Sequence, residues 1–600
     1  MSVPERPSAL RRLLPPIDSP AYHVLLGCVA ILILGPLGGI SAAFMNFSIG
    51  FFIGGQVLAG ILGSTITLGY GPAGKHGANY MQTMASSVAG MCGMAVLIQA
   101  RYWLGLPEVA AWQLILYYTC IGMFGVGLGM VYTPILVDRM QLAFPSGLAV
   151  ANILRALTDK NLLKKSVAKL GGGVLTGYLG GLASSNLPLV EAMGISTSTF
   201  GAGMIVGARI AIPALVVAAI GDRMKPFLMS IGWLEKDVPF RKIGFIIALG
   251  TILGAAIVDI SLILVEALKK LMTKEAVPAA PVEDWKRVNV VRLVSWVAFW
   301  GVAVAVVGHL VLGEPVAYLF VCIGLAFLFV LVNGISQGIS DSNPISSAFV
   351  MTVFILAAIG LTDAGTGLMC ASIMLIACSE GGDMQQDRST GWRLGTNRII
   401  QFRYQVIGIA FGAVLAVVLA KVFLSSYPVL KVDQFGHHVE GAQKWQSAMT
   451  YKFVGALRGI TTSQPHIMTA LKLGIFIGLV TEVIRKLVKR FARYRDWTRT
   501  SRAGKAFDFV FDAFLMPSPY ASSFGGFVEL NTCWWWAGGG IGGSLYETVM
   551  TWLDARRGKA ADAGVPSDMS TTSLVGGGLI AGDSLAALSI GVYGLLKTLL

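Results

Sequence analysis

Residues 406–422 read VIGIAFGAVLAVVLAKV and residues 244–261 read GFIIALGTILGAAIVDIS. Each run carries one charged residue, and neither alternates polar with apolar side chains. A strand of a transmembrane barrel would alternate over about 10 residues, so these runs exclude a barrel. Both approach the roughly 20 apolar residues that a helix needs to cross the hydrocarbon core. Similar stretches recur along the chain, at approximately 22–44, 48–69, 78–103, 112–137, 142–158, 167–186, 197–221, 241–268, 289–313, 316–334, 345–362, 364–380, 400–424, 466–486, 507–553 and 571–596. The 507–553 stretch is long enough to cross, turn and partly return. The pattern predicts an all-α, polytopic integral membrane protein of about 16 transmembrane helices, within the roughly 14 to 17 that 600 residues allow.

Composition agrees. The chain is 55% hydrophobic and 13% charged, with a mean hydropathy of +0.70, whereas soluble domains carry about 25% charged residues. So much apolar surface also excludes disorder. Seven cysteines, all inside apolar stretches and without a C-x-x-C pair, build neither a disulfide framework nor a thiolate metal site. His437-His438 is a solvated loop pair or a weak metal catch, and no metal or other cofactor is expected.

The net charge of +14 sits in the loops. Its densest run is Arg485, Lys486, Lys489, Arg490, Arg493, Arg495, Arg499, Arg502 and Lys505, interleaved with Phe491, Tyr494 and Trp497. Nucleic acid could use such a patch. Its position directly after an apolar span makes it a cytoplasmic, positive-inside loop with an amphipathic edge toward lipid, and no nucleic-acid partner is expected. Arg6, Arg11 and Arg12 place the amino terminus on the same side, and the stretch 22–44, with no small-residue cleavage motif, reads as a retained first span. The loops around 223–242 and 269–287 are both basic although one apolar stretch separates them. One of them therefore lies on the far side, or that stretch is re-entrant.

The expected organisation is a cytoplasmic segment 1–21, a first transmembrane half 22–271, a polar connection 272–288 and a second transmembrane half 289–600. The second half includes the polar loop 425–465 and the basic loop 485–505. Two faint echoes suggest that the halves are related: Ser198-Thr-Phe-Gly-Ala-Gly203 with Ser522-Ser-Phe-Gly-Gly-Phe527, and Asp138-Arg-Met-Gln141 with Asp383-Met-Gln-Gln386. Chance similarity between glycine-rich helices is the competing reading.

Function is sought among the exceptions to hydropathy, because ionisable groups at membrane depth cost several kcal/mol and usually face a pathway. The richest cluster is Glu380-Gly-Gly-Asp383-Met-Gln385-Gln386-Asp387-Arg388, following the apolar run 364–379. It reads as a polar loop or as a substrate and ion segment at a helix break. Asp341 and Asn343 precede a span, Asn79 and Gln82 share a helical turn near His76, and Asp583 follows Gly576-Gly-Gly-Leu-Ile-Ala-Gly582. Arg209 sits alone in an apolar segment and needs a buried partner or an anionic ligand. Glycine doublets and triplets beside such residues fit broken or re-entrant helices lining a cavity, or close helix packing. There is no phosphate loop, H-E-x-x-H or nucleophile elbow, so neither an ATPase nor another enzyme is expected. An ion gradient would have to drive transport.

Several of these segments, in order along most of the chain, resemble the oligopeptide transporter family, and within it the yellow stripe-like and prokaryotic branch. They are Asn79-Tyr-Met-Gln82-Thr, Leu142-Ala-Phe-Pro-Ser-Gly147, Gly201-Ala-Gly203-Met-Ile, Gly338-Ile-Ser-Asp341, Phe514-Leu-Met-Pro517-Ser-Pro519 and Gly578-Leu-Ile-Ala-Gly582-Asp583. The most specific is Asp383-Met-Gln-Gln-Asp387-Arg-Ser-Thr390-Gly391 followed by Arg398, Gln401, Gln405 and Gly408. The resemblance implies proton-coupled import of small peptides or metal-chelate complexes across the cell membrane by a homodimer in contact with membrane lipids. It leaves the choice between peptide and chelate open. The residues expected along the pathway are Asn79, Gln82, Arg209, Asp341, Asn343, Glu380, Asp383, Gln385, Gln386, Asp387 and Asp583, with Glu380, Asp383 or Asp387 carrying the proton. A channel-like pore and a non-transporting membrane protein are the rival readings.

Overall fold

The computed structural model describes residues 14–48, 59–60, 63–64, 66–158, 160–193, 195–236, 238, 240–272, 283–340, 343–434, 445, 447–459, 465–527, 530–556 and 570–599. It is all-helical, with no strand among the described residues. The elements used below are α1 (Pro20–Val29, continued by π-helical Ala30–Leu34 and by Gly35–Ser48), α2 (Gly74–Gly93), α3 (Ala95–Trp103), α4 (Ala111–Thr133), α5 (Pro145–Thr158), α6 (Lys160–Asn186), α7 (Thr197–Val206), α8 (Ala208–Ser230), α9 (Arg241–Met272), α10 (Val290–Leu310), α11 (Val316–Ser340), α12 (Ile345–Ala358), α13 (Ala364–Leu394), α14 (Arg398–Ser426), α15 (Ala448–Gly459), α16 (Pro465–Arg490), α17 (Ala492–Thr500), α18 (Arg502–Val510), α19 (Pro519–Phe527), α20 (Leu530–Arg556) and α21 (Thr571–Leu599).

Eight of the described helices are long and apolar enough to cross a membrane: Pro20–Phe44, Leu68–Trp103, Ala111–Arg139, Asp284–Leu310, Val316–Gly338, Ala364–Leu394, Arg398–Ser426 and His466–Arg490. Four shorter apolar helices accompany them. Their burial sorts inner from outer. The apolar window of Leu68–Trp103 is 100% buried and those of Ala111–Arg139 and Ala364–Leu394 are 78% buried, against 22% for Asp284–Leu310. Thus α2, α4 and α13 form the centre. The outer face of α10, with Val290, Val291, Val294 and Phe299 exposed, is apolar as lipid contact requires.

Two outer helix pairs pack by the same device. Gly250 and Gly254 on α9 face Gly474 and Gly478 on α16, and Gly173 and Gly177 on α6 face Gly578 and Gly582 on α21. A Cβ at Gly578 would stand 2.6 Å from the Leu170 carbonyl oxygen and 2.8 Å from the Gly173 Cα. Small residues four apart let backbones touch, which supplies packing where lipid supplies no hydrophobic drive between helices. This overturns one expectation. The Gly576–Gly582 segment does not break its helix, since α21 runs on through Asp583, and its glycines serve contact with α6 and α7.

The break lies elsewhere. Gly207 has φ 82° and ψ 167°, which ends α7 and starts α8, and the Ala208 N–H is met by Ser544 Oγ at 3.0 Å. Only glycine adopts that backbone without strain. The stretch 507–553 resolves into α18 with a π-helical extension Phe511–Leu515, then α19 and α20. In the 425–465 loop, Pro428–Lys431 forms a single 3-10 turn and α15 packs inward through Phe453, Val454 and Leu457. Gln99 on α3 holds the loop by donating to Leu430 O at 3.0 Å and Ser447 Oγ at 2.9 Å. His437 and His438 lie outside the described residues, as do Asp341 and Gly54-Gly55.

Candidate functional site

The polar cluster belongs to α13. Asp363 caps this helix by accepting from the Thr366 N–H at 2.6 Å, and Gly395, in the left-handed region at φ 72°, closes it. Between them the helix is continuous, so the break expected at Glu380–Arg388 is absent. The reason is positional. The segment is enclosed by α2, α4, α5, α11 and α14, where unwound backbone would lose hydrogen bonds that no water replaces. Its polar side chains instead reach polar side chains and carbonyls on neighbouring helices.

Gln82 Nε2 on α2 donates to Asp387 Oδ1 at 2.6 Å. Gln401 on α14 donates to the Asp387 carbonyl at 2.8 Å and to Thr83 Oγ1 at 3.0 Å, while Arg388 Nη1 donates to Gln401 Oε1 at 2.8 Å. On the α11 side, Gln337 Nε2 donates to Gln386 Oε1 at 2.5 Å and Gln385 Nε2 donates to Val330 O at 3.3 Å. Asn343, in the α11–α12 connection, donates to Cys378 O at 2.9 Å and accepts from Asn333 at 3.1 Å. Thr390 Oγ1 donates to Gly147 O on α5 at 3.0 Å. Glu380, Gln385, Gln386, Asp387 and Arg388 are all buried.

Glu380 and Asp383 converge on Gly90 of α2. A Cβ there would lie 2.9 Å from both Glu380 Oε1 and Asp383 Oδ2. Asn79, also buried, lies on the same helix next to Gly391. The balance of donors and acceptors is lopsided. Among the described residues Gln82 Oε1, Gln337 Oε1, both Glu380 carboxylate oxygens, Gln385 Oε1, Asp387 Oδ2 and Gln405 Oε1 accept no hydrogen bond. The unmatched donors in the same region are fewer: Asn79 Nδ2, Arg388 Nη2 and, at one end, Arg398 Nε. Gln405 itself donates at 3.2 Å to the Glu380 backbone carbonyl, not to its carboxylate. Buried acceptors without donors are expensive, and positive charge or protons would satisfy them.

At one end of this cluster Arg398 forms a bidentate pair with Asp138, Arg155 donates to the Arg393 carbonyl, and His76 Nδ1 lies 3.1 Å from Thr396 Oγ1.

The structure thus gathers Asn79, Gln82, Asn343, Glu380, Asp383, Gln385, Gln386 and Asp387. It does not gather the other two described candidates. Asp583 on α21 accepts from the Ser198 N–H at 3.2 Å and from its hydroxyl, between α6, α7 and α21. Arg209, the second residue of α8, pairs with Asp508 at 2.6 Å and Asp512 at 2.8 Å. Lys489 donates to Asp512 at 2.7 Å and the Tyr494 hydroxyl to Asp508 at 2.8 Å. Arg209 therefore has its partners within the protein. Burial pushes the Asp508 carboxyl up, but Tyr494, Arg209 and Lys489 outweigh it and hold the carboxyl below the ordinary carboxylate range.

Sequence reasoning missed Asn333 and Gln337 as partners of Asn343 and Gln386, although two amides four apart at the end of an apolar helix mark one face. It also missed Glu482, buried on α16, which was visible as a single acid in an apolar span. Gln401 and Gln405 were in view as a spacing and lacked a role.

A comparison with curated proteins returns no match. The family model described as OPT oligopeptide transporter protein matches residues 21–593. With that match over nearly the whole chain and helices apolar enough to cross a membrane many times, the protein belongs to the oligopeptide transporter family, as a multi-pass membrane transporter and not an enzyme.

Proposed function

We propose that the protein is a secondary transporter that imports small peptides or metal-chelate complexes across the cell membrane, coupled to protons and working by alternating access. The observation that carries the coupling is Glu380, fully buried with both carboxylate oxygens unmatched. An anion so placed is costly, and a proton on it turns an unmatched acceptor into a donor in surroundings rich in acceptor oxygens. Asp383, beside the same Gly90, and Asp387, held by Gln82, are the groups among which that proton would be shared. Substrate would bind near the bilayer midplane against α2, α11 and α13, where the amides of Gln82, Gln337, Gln386 and Gln401 offer both donors and acceptors to a peptide or to the carboxylates of a chelate. The motif around Asp383–Gly391 supports placing the chain in the yellow stripe-like and prokaryotic branch. The further readings are about 16 transmembrane helices in two related halves, and a homodimer.

The test is uptake by the purified protein in liposomes. Di- to hexapeptides and iron-chelate complexes are compared with and without an inward proton gradient. Accumulation that collapses with an uncoupler and is lost in Asp383→Asn supports the reading. Equilibration without accumulation would make the protein a channel or facilitative pore, and unchanged proton-driven uptake in Asp383→Asn would remove that residue from the coupling site.

A further inference from the structure

A cavity of about 620 Å3 opens between α1 and α14; neither Glu380, Asp383 nor Asp387 lines it, and it lies outside the function proposed above. The two helices run in the same direction. Near their starts His23 Nδ1 and the Tyr404 hydroxyl are 2.9 Å apart, and toward their ends Phe44 meets Phe423 with ring centroids 6.4 Å apart. Both helices lie within candidate membrane spans, so the opening faces lipid.

The cavity has a polar mouth and an apolar body. His23 and Arg403 stand at the mouth, the fourth and sixth residues of their helices, hence near a membrane surface. Arg403 is exposed and takes no hydrogen bond or ion pair among the described residues. Below it Val24, Gly27, Leu32 and Ile407 form the walls. Gly27 leaves the groove open, since a Cβ at that position would meet no atom within 4 Å. From His23 to Leu32 the helix rises about 13 Å, close to half of the roughly 30 Å hydrocarbon core. The groove therefore runs about the depth of one leaflet.

We infer that this groove binds one anionic glycerophospholipid, with an acyl chain along α1 and the phosphate on the Arg403 guanidinium. An unpaired arginine at the edge of the hydrocarbon seeks a phosphate, and its fork of donors matches phosphate oxygens. One carboxylate, Asp18, lies 3.9 Å from His23 at the mouth, but Arg403 itself and Lys75, Arg155 and Arg393 on neighbouring helices outnumber it, so a net negative headgroup is favoured over a zwitterionic one.

The test uses the full-length protein in detergent, titrated with phosphatidylglycerol or phosphatidylcholine, with retained lipid counted by native mass spectrometry. Wild type is expected to hold one phosphatidylglycerol per chain at least fivefold more tightly than phosphatidylcholine. Arg403→Gln should erase that preference. Gly27→Leu, whose Cβ meets no atom within 4 Å and whose side chain extends into the groove, should abolish retention while the melting temperature stays that of wild type. Unchanged retention in either variant overturns the inference. So does a change of oligomeric state in Gly27→Leu, because the groove would then be covered by a second copy of the chain. Lipid retention is read without any transport, so its failure is distinct from failure of the symport reading.

Discussion

Gln82 and Asp387 lie 305 positions apart in sequence and are joined by a 2.6 Å hydrogen bond between their buried side chains. This contact ties α2 to the middle of α13. It also gives a carboxylate at membrane depth a strong amide donor, while Asp387 Oδ2 accepts no hydrogen bond. Loss of the amide would take that donor from the carboxylate. Gln82→Ala is therefore expected to destabilise the protein by about 1–3 kcal/mol, the cost of an orphaned buried acceptor. Thermal unfolding in detergent measures it. The double variant Gln82→Ala/Asp387→Leu should recover most of the loss, because removing both members of a buried polar pair costs less than removing one.

Neutralising Glu380 separates coupling from folding. Glu380→Gln removes a buried charge and keeps the shape of the side chain, so the melting temperature should hold or rise. Concentrative uptake driven by a proton gradient should fall at least tenfold. Accumulation at the wild-type level would show that Glu380 carries no proton in the cycle.

The glycine contacts between α6 and α21 predict a contrast between two glycines of this helix pair. Gly578→Val would push side-chain atoms into the Leu170 carbonyl and Gly173 backbone, and overpacking against backbone costs about 1–3 kcal/mol or more. Gly171→Val, two residues from Gly173 but with open space around it, should leave stability unchanged. Size-exclusion profiles and melting temperatures of the two variants distinguish contact from a general intolerance of glycine substitution.

Arg209, Lys489, Asp508 and Tyr494 predict a pH signature. Asp508 is held below its ordinary range in the folded protein, against about 3.9 when unfolded. The sign follows from linkage. The stabilisation is complete above about pH 4 and disappears as the pH falls through the still lower folded value. Asp508→Asn should lower the melting temperature at pH 7 and at pH 5 by equal amounts, corresponding to about 1 kcal/mol for a partly exposed pair. The gap to wild type should close below about pH 4. A gap that instead widens on acidification would contradict the pairing.

Membrane class and the polar cluster were legible because both are properties of residue type within a short window. Seventeen residues at 406–422 with a single charge, Lys421, need no partner to be read, and neither do four charges between Glu380 and Arg388. What a window cannot show is where a polar side chain ends. Gly381-Gly382 beside charged residues looked like a broken helix, yet α13 stays intact because Gln82 and Gln337 arrive from helices 305 and 49 positions away and Gln401 folds back from the next helix. Arg209 looked like a ligand-seeking charge for the same reason, since its two carboxylates are 299 and 303 positions away. The helix break at Gly207 went unread because one glycine in a glycine-rich span carries no local mark of a positive φ.

The continuity of α13 bears on how the protein can move. Its 31 residues make a rod of about 46 Å, longer than the hydrocarbon core is thick, with the carboxylates of Glu380 and Asp387 fixed to it about two turns apart. A rod without a swivel cannot turn its middle while its ends stay still. Any exposure of those carboxylates to first one side of the membrane and then the other must come from tilting or sliding of the whole helix, or from movement of the helices packed on it, such as α2, α4 and α11. The acidic residues would then act as cargo on a lever, and a crosslink that pins either end of α13 would halt the middle as effectively as a mutation there.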